Sequence, residues 1–145
     1  MSLKIGEIAP DFRLAATKRE KISLSEYRGK KHVVVAFFPL NFTPGWIIEI
    51  TSWQEDYQRF KELETELLAI SVDQIYSHHV FDASLGKLPY PLLSDWHKKT
   101  VQLYDVYNPD SETAIRSVFI VDKDGVLRFK NEAFDARKQA HYDEV

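Results

Sequence analysis

No cysteine occurs among the 145 residues. A chain of this composition has no thiolate to attack an electrophile, no pair to close a disulfide and no soft ligand for zinc. Its only sulfur belongs to Met1. A large excess of either charge is lacking as well: the net is −3 and the pI near 5.9, so nothing draws the protein electrostatically to nucleic acid or to an anionic membrane. No apolar run approaches the roughly 18 residues that span a bilayer. Five glycines and six prolines beside 28% charged residues describe a folded chain rather than a disordered one. Glycine-rich phosphate loops, Ser-His-Asp spacings and basic aromatic patches are missing, and neither a cofactor nor a metal is expected. Met1-Ser2-Leu3-Lys4 opens no signal-peptide pattern, which makes the cytoplasm the expected location. A mass of 16.9 kDa is one domain's worth, taken as 1–145.

What the sequence does have is a strong alternation of strand and helix signals. Val33-Val34-Val35-Ala36-Phe37-Phe38 is a continuous apolar run rich in β-branched and aromatic residues, the signature of a strand buried on both faces. Pro39 stops it. After a loop, Ile50, Trp53, Tyr57, Phe60, Leu63 and Leu67 recur at spacings of three and four, which predicts a long amphipathic helix with Trp53 in the core. Glu55 and Arg59 are placed for an i,i+4 pair on its wet face. Leu67 to Val72 reads as a second buried strand, so the two strands and the helix form a βαβ unit. Upstream, Phe12–Ala15 and Lys21–Ser23 predict a hairpin, and Ser25 to Gly29 one helical turn with a serine cap. Downstream follow a helix from Ser77 to Leu85, a short strand at Leu92-Leu93 and a helix from Trp96 to Val106. Ser117–Val121 and Val126–Lys130 are strands joined by the turn Asp122-Lys123-Asp124-Gly125. A last helix is predicted from Asp135. The order gives a central mixed sheet flanked by helices, an α/β sandwich.

The loop Pro39-Leu40-Asn41-Phe42-Thr43-Pro44-Gly45-Trp46 resembles the peroxiredoxin active-site motif Pro-x-x-x-Thr-x-x-Cys, which follows a Phe-Phe strand in the alkyl hydroperoxide reductase and thiol-specific antioxidant family. Ala9-Pro10-Asp11-Phe12, Leu24 to Lys30, Ser71-Val72-Asp73, Ser77-His78, Pro91 to Asp95 and Ala114 to Asp122 resemble further segments of that family in order. The resemblance implies a thioredoxin-like fold, a homodimer, and thiol-dependent reduction of hydrogen peroxide and alkyl hydroperoxides. It places the family's active-site positions at Pro39, Thr43, Trp46 and Arg116, with Glu49 as a supporting carboxylate. In the family a thiolate attacks the peroxide. Its pKa must fall from about 8.5, which a helix N-terminus and a nearby guanidinium accomplish. Here Trp46 stands where that cysteine belongs, and an indole has no ionisable group in the accessible range.

Thiol-based peroxide reduction by these residues alone is therefore excluded, and a non-catalytic relative is expected. Three readings of Trp46 stand: decay of the peroxidase with the indole filling the pocket, reuse of the pocket for a small peroxide-like or anionic ligand held by Arg116, and a point change in a working peroxiredoxin. Ile47 and Ile48, which make the helix's first turn apolar, weigh against the third. With no thiolate to balance it, Arg116 is expected to pair with Glu49. Other candidates have plainer readings. His78 and His79 are helix neighbours facing different ways, so packing is favoured over metal binding for His78. Asp122 and Asp124 are turn residues, and Trp96 is assigned to core or interface.

Overall fold

Strand β3 (His32–Phe37) lies where the apolar run predicts it. It pairs in parallel with β4 (Thr65–Ser71) and antiparallel with β8 (Ser117–Val121). With neighbours on both edges and side chains covered on both faces, every residue from Val33 to Phe38 is buried. The computed structural model describes residues 3–42, 44–132 and 134. The seven-stranded mixed sheet runs β2-β1-β5-β4-β3-β8-β9, with β1 (Arg13–Ala16), β2 (Lys21–Ser23), β5 (Leu92–Ser94) and β9 (Leu127–Asn131) completing it.

Alternation along the strands builds two cores. Val33, Val35, Phe37, Leu68, Ile70 and Phe119 share one face with Tyr104. Val34, Ala36, Phe38, Leu67, Ala69 and Leu92 face the other way, under α1 (Pro44–Glu62) and α2 (Ile75–Ser84). Trp53 is fully buried there, its ring stacked on Phe134 at 5.7 Å.

Helix α1 opens on Pro44, at the one helical position where a missing N–H costs nothing. Its apolar stripe ends sooner than the spacing predicts. Glu64 adopts a left-handed conformation (φ 53°), the chain turns, and β4 begins at Thr65. Leu63 is exposed, and Leu67 owes its burial to the pleat of β4 and not to the helix. Arg59 also finds a different partner, Asp56 at 3.8 Å instead of Glu55.

The predicted helix from Trp96 shrinks to α3 (Lys99–Leu103). Both Asp95 carboxylate oxygens accept its first N–H groups, from Thr100 at 3.2 Å and Val101 at 2.8 Å. A left-handed Asp105 (φ 56°) then turns the chain into the small hairpin β6 (Tyr107–Asn108) and β7 (Thr113–Ala114). The early helical turn is a 3-10 segment at Leu24–Tyr27, preceded by Ser23, whose N–H donates to Glu26 at 3.1 Å; Ser25 is not its cap. Asp122 to Gly125 forms the expected turn, with Gly125 in the left-handed region (φ 81°) and its N–H bonded to the Asp122 carbonyl at 3.0 Å. The helix predicted from Asp135 lies outside the described residues.

Candidate functional site

Register brings the site together. Phe37 of β3 is paired with Ser117 of β8, so Arg116 stands beside the point where β3 runs out and the chain turns toward α1. Pro39 is half-buried at that exit. Across the gap lies the first turn of α1. There the Arg116 guanidinium packs on Gly45 so closely that a Cβ added at Gly45 would stand 2.8 Å from Nη2.

Arg116 donates through Nη1 to Oε1 of Glu49, one turn further along α1. Oε2 of the same carboxylate accepts the indole N–H of Trp53 at 2.8 Å. Glu49 is fully buried and the Arg116 side chain 16% exposed, so both partners of this pair are largely out of water. Burial drives the Glu49 pKa up to about 7, while Arg116 and the Trp53 N–H hold it down from higher still. The structure thus joins Arg116 to Glu49. Thr43 lies outside the described residues. Trp46 is placed by its backbone in the first turn of α1, and its side chain is likewise outside them. Ile47 and Ile48 are both exposed, so the apolar change in that turn lies at the surface.

A second network holds the loop from the opposite side. The Asn41 N–H donates to Asp73 at 3.0 Å, and its side-chain amide donates to Ser77 Oγ at 3.1 Å and lies 3.0 Å from Nδ1 of His78. His78 Nε2 lies 2.9 Å from the Leu93 carbonyl, which can only accept. That fixes a neutral ring, with Nε2 donating and Nδ1 accepting from Asn41. Desolvation accordingly pulls the His78 pKa down to about 4, against the pull of Asp73. Both ring nitrogens are spent on packing contacts, His79 is exposed, and no group of three metal-ligating side chains occurs among the described residues. Asn41 Oδ1 is buried without a hydrogen-bond partner among the described residues. Asn41 and Gly45 were not legible as site residues. A polar residue in a loop and a glycine before a helix are both commonplace, and only their three-dimensional neighbours give them a role.

Of the two places expected for Trp96, core or interface, its 51% exposure rules out the core. No helix among the described residues is long and apolar enough to cross a membrane. As chemistry, the site at α1 is a largely buried ion pair in a chain that has no cysteine to act as a nucleophile.

Comparison with known proteins agrees with the geometry. The family model described as the AhpC/TSA family matches residues 5–130. The chain is 39% identical over 137 residues to a chloroplastic 2-cysteine peroxiredoxin of Chattonella marina var. antiqua, covering 88% of this chain and 70% of that protein. Among solved structures it is similar to Plasmodium yoelii thioredoxin peroxidase I, with TM-score 0.85 and 30% identity over 97% of this chain and 86% of that one. It is also similar to Mycobacterium bovis AhpC, with TM-score 0.86 and 28% identity over 99% and 89%. The chain spans between 50% and 70% of the length of the curated relatives at the head of these matches.

Proposed function

The chain belongs to the AhpC/TSA family, and from that premise we propose that it is a member whose thiol chemistry has been lost while the scaffold remains. One observation carries the reading: Trp46 occupies the nucleophile's position in a chain of 145 residues that holds no cysteine at all. The ion pair supports it. Arg116 gives its hydrogen bond to Glu49, the carboxylate the family's motif places there, so the surroundings of the site persist without the thiol. Self-association as a homodimer and cytoplasmic residence belong to the same proposal, the first supported by family resemblance and the second by composition alone.

Peroxide consumption in the presence of a dithiol reductant and thioredoxin is expected to equal that of a boiled control. Turnover above that level in a preparation free of contaminating peroxidase would sink the reading. Trp46→Cys is expected to form sulfenic acid with hydrogen peroxide faster than a free thiol, yet far more slowly than a working peroxiredoxin. A new cysteine that reacts no faster than a free thiol would show that the surroundings have decayed along with the nucleophile.

The second reading, a small anion held at Arg116, has one observation in its favour. With a pKa near 7, Glu49 is largely neutral in mildly acidic solution and leaves the guanidinium unbalanced. Stabilisation by small carboxylates or oxyanions at pH 6 that disappears in Arg116→Met would bring it forward.

A further inference from the structure

At the other end of the sheet, the β1–β2 hairpin and the N-terminal part of α2 enclose a groove of about 340 Å³. Its floor follows from register. Arg13 pairs with Ser23, Ala15 with Lys21, and Ala15 again with Ser94 of β5, so Arg13, Ala15, Lys21 and Ser94 share one face of the sheet edge. Ala15 and Ser94 are small and leave the floor low, while Arg13 and Lys21 add two cations. Trp96 and Tyr76 form the walls, 51% and 77% exposed. Neither aromatic makes a ring contact with another described residue, and neither cation takes an ion pair among them. No carboxylate lines the groove, although the whole chain carries a net charge of −3. Trp96 and Arg13 also line a second depression of about 330 Å³, in which Asp11 and Asp95 accompany Lys99, so the carboxylate-free lining belongs to the first groove alone.

We propose that this groove binds a small planar anion of about the size of a nucleoside monophosphate, with its ring stacked on Trp96 and its phosphate or carboxylate held by Arg13 and Lys21. The volume lies at the small end of the roughly 300–1,000 Å³ range of ligand sites. An exposed indole face stacks on any π-system, and an arginine beside it recognises a phosphate or carboxylate through paired N–H donors. Ring and charge are both required, because either alone leaves half of the groove's unspent chemistry unused. Neither Arg116 nor Glu49 lines the groove, and the proposal stands whether or not the peroxidase reading does.

Calorimetry on the intact chain at about 50 mM salt, where exposed charges are only partly screened, tests it with three probes: adenosine 5′-monophosphate, adenosine, and ribose 5-phosphate. The expected result is saturable binding of the monophosphate, with the other two at least about tenfold weaker, since ribose 5-phosphate has no ring to stack on Trp96 and adenosine has no phosphate for Arg13 and Lys21. Trp96→Ala and the double variant Arg13→Gln/Lys21→Gln are each expected to weaken the monophosphate by about tenfold or more. Tryptophan fluorescence quenching by the ligand is expected to vanish in Trp96→Phe and persist in Trp46→Phe. Trp96, Arg13 and Lys21 are exposed, and circular dichroism verifies that the variants fold. Absence of monophosphate binding, ribose 5-phosphate binding as tightly as the monophosphate, or affinity unchanged in Trp96→Ala would each overturn the proposal.

Discussion

Arg116 and Arg13 sit on the same sheet and meet their charge in opposite ways. Arg116, just ahead of β8, is largely withdrawn from water, lies on the backbone of Gly45 and gives its hydrogen bond to a fully buried Glu49. Arg13, in edge-side β1, is exposed, lines an open groove and takes no ion pair among the described residues. A charge removed from water must be balanced inside the chain, because leaving it unpaired costs several kcal/mol. A charge left in water needs no internal partner and stays available to a ligand. At Arg116 the charge is answered within the fold, and at Arg13 it is left facing the groove.

The comparison breaks most visibly at Glu49. Glu49→Ala removes the acceptor of both Arg116 and the Trp53 N–H, and is expected to lower unfolding free energy by about 3 kcal/mol in urea titration. Adding Arg116→Met should return much of that loss. If the double variant loses the sum of the two singles, the residues act independently and the contrast with Arg13 fails.

A smaller effect is expected from pH. Glu49 has a folded-state pKa of about 7 against an ordinary 4.5, so between those values the folded chain keeps a proton that the unfolded chain releases. Its contribution is full below pH 4.5 and is lost as pH rises through 7. His78 runs the other way. Its pKa of about 4 against an ordinary 6.5 means that stability is lost as pH falls through that interval, where the unfolded ring gains a proton the folded one refuses. The two trends oppose each other across an overlapping window and flatten the wild-type profile. Glu49→Gln should then gain stability from pH 5 to 6.5 relative to wild type, and His78→Gln should lose it, each with a slope of up to about 1.4 kcal/mol per pH unit. Parallel profiles for all three proteins would remove both groups from the account.

The smallest effect is expected at the exposed arginine. Arg13→Gln should change unfolding free energy by no more than about 0.5 kcal/mol. A loss near that of Glu49→Ala would mean that Arg13 is matched after all.

The sequence displays the centre of this fold better than its rims. The run from Val33 to Phe38 and the stripe of Ile50, Trp53, Tyr57 and Phe60 are legible because burial on two faces and burial on one helical face leave distinct periods. Leu63 and Leu67 continue the helical spacing by coincidence, and no residue type announces the left-handed turn at Glu64 between them. The two-residue strands β6 and β7 are too short to show any period. At the site, Arg116 and Glu49 are legible through the family's motif, and the need to balance a buried guanidinium names them as partners. For Trp96 the sequence leaves core and surface open, because hydrophobic character fits either, and only its surroundings put it at the edge of a groove.

Gly45 carries a last consequence. Arg116 fills the space where a side chain at position 45 would begin. Any larger residue there and the present pose of Arg116 are mutually exclusive, since a methyl group already meets the guanidinium at 2.8 Å. Positions 45, 49 and 116 therefore constrain one another as a set of alternatives. A side chain at 45 makes the guanidinium give way, whereas glycine lets the arginine lie directly on the helix backbone. The pose of the arginine thus depends on the glycine one residue before Trp46.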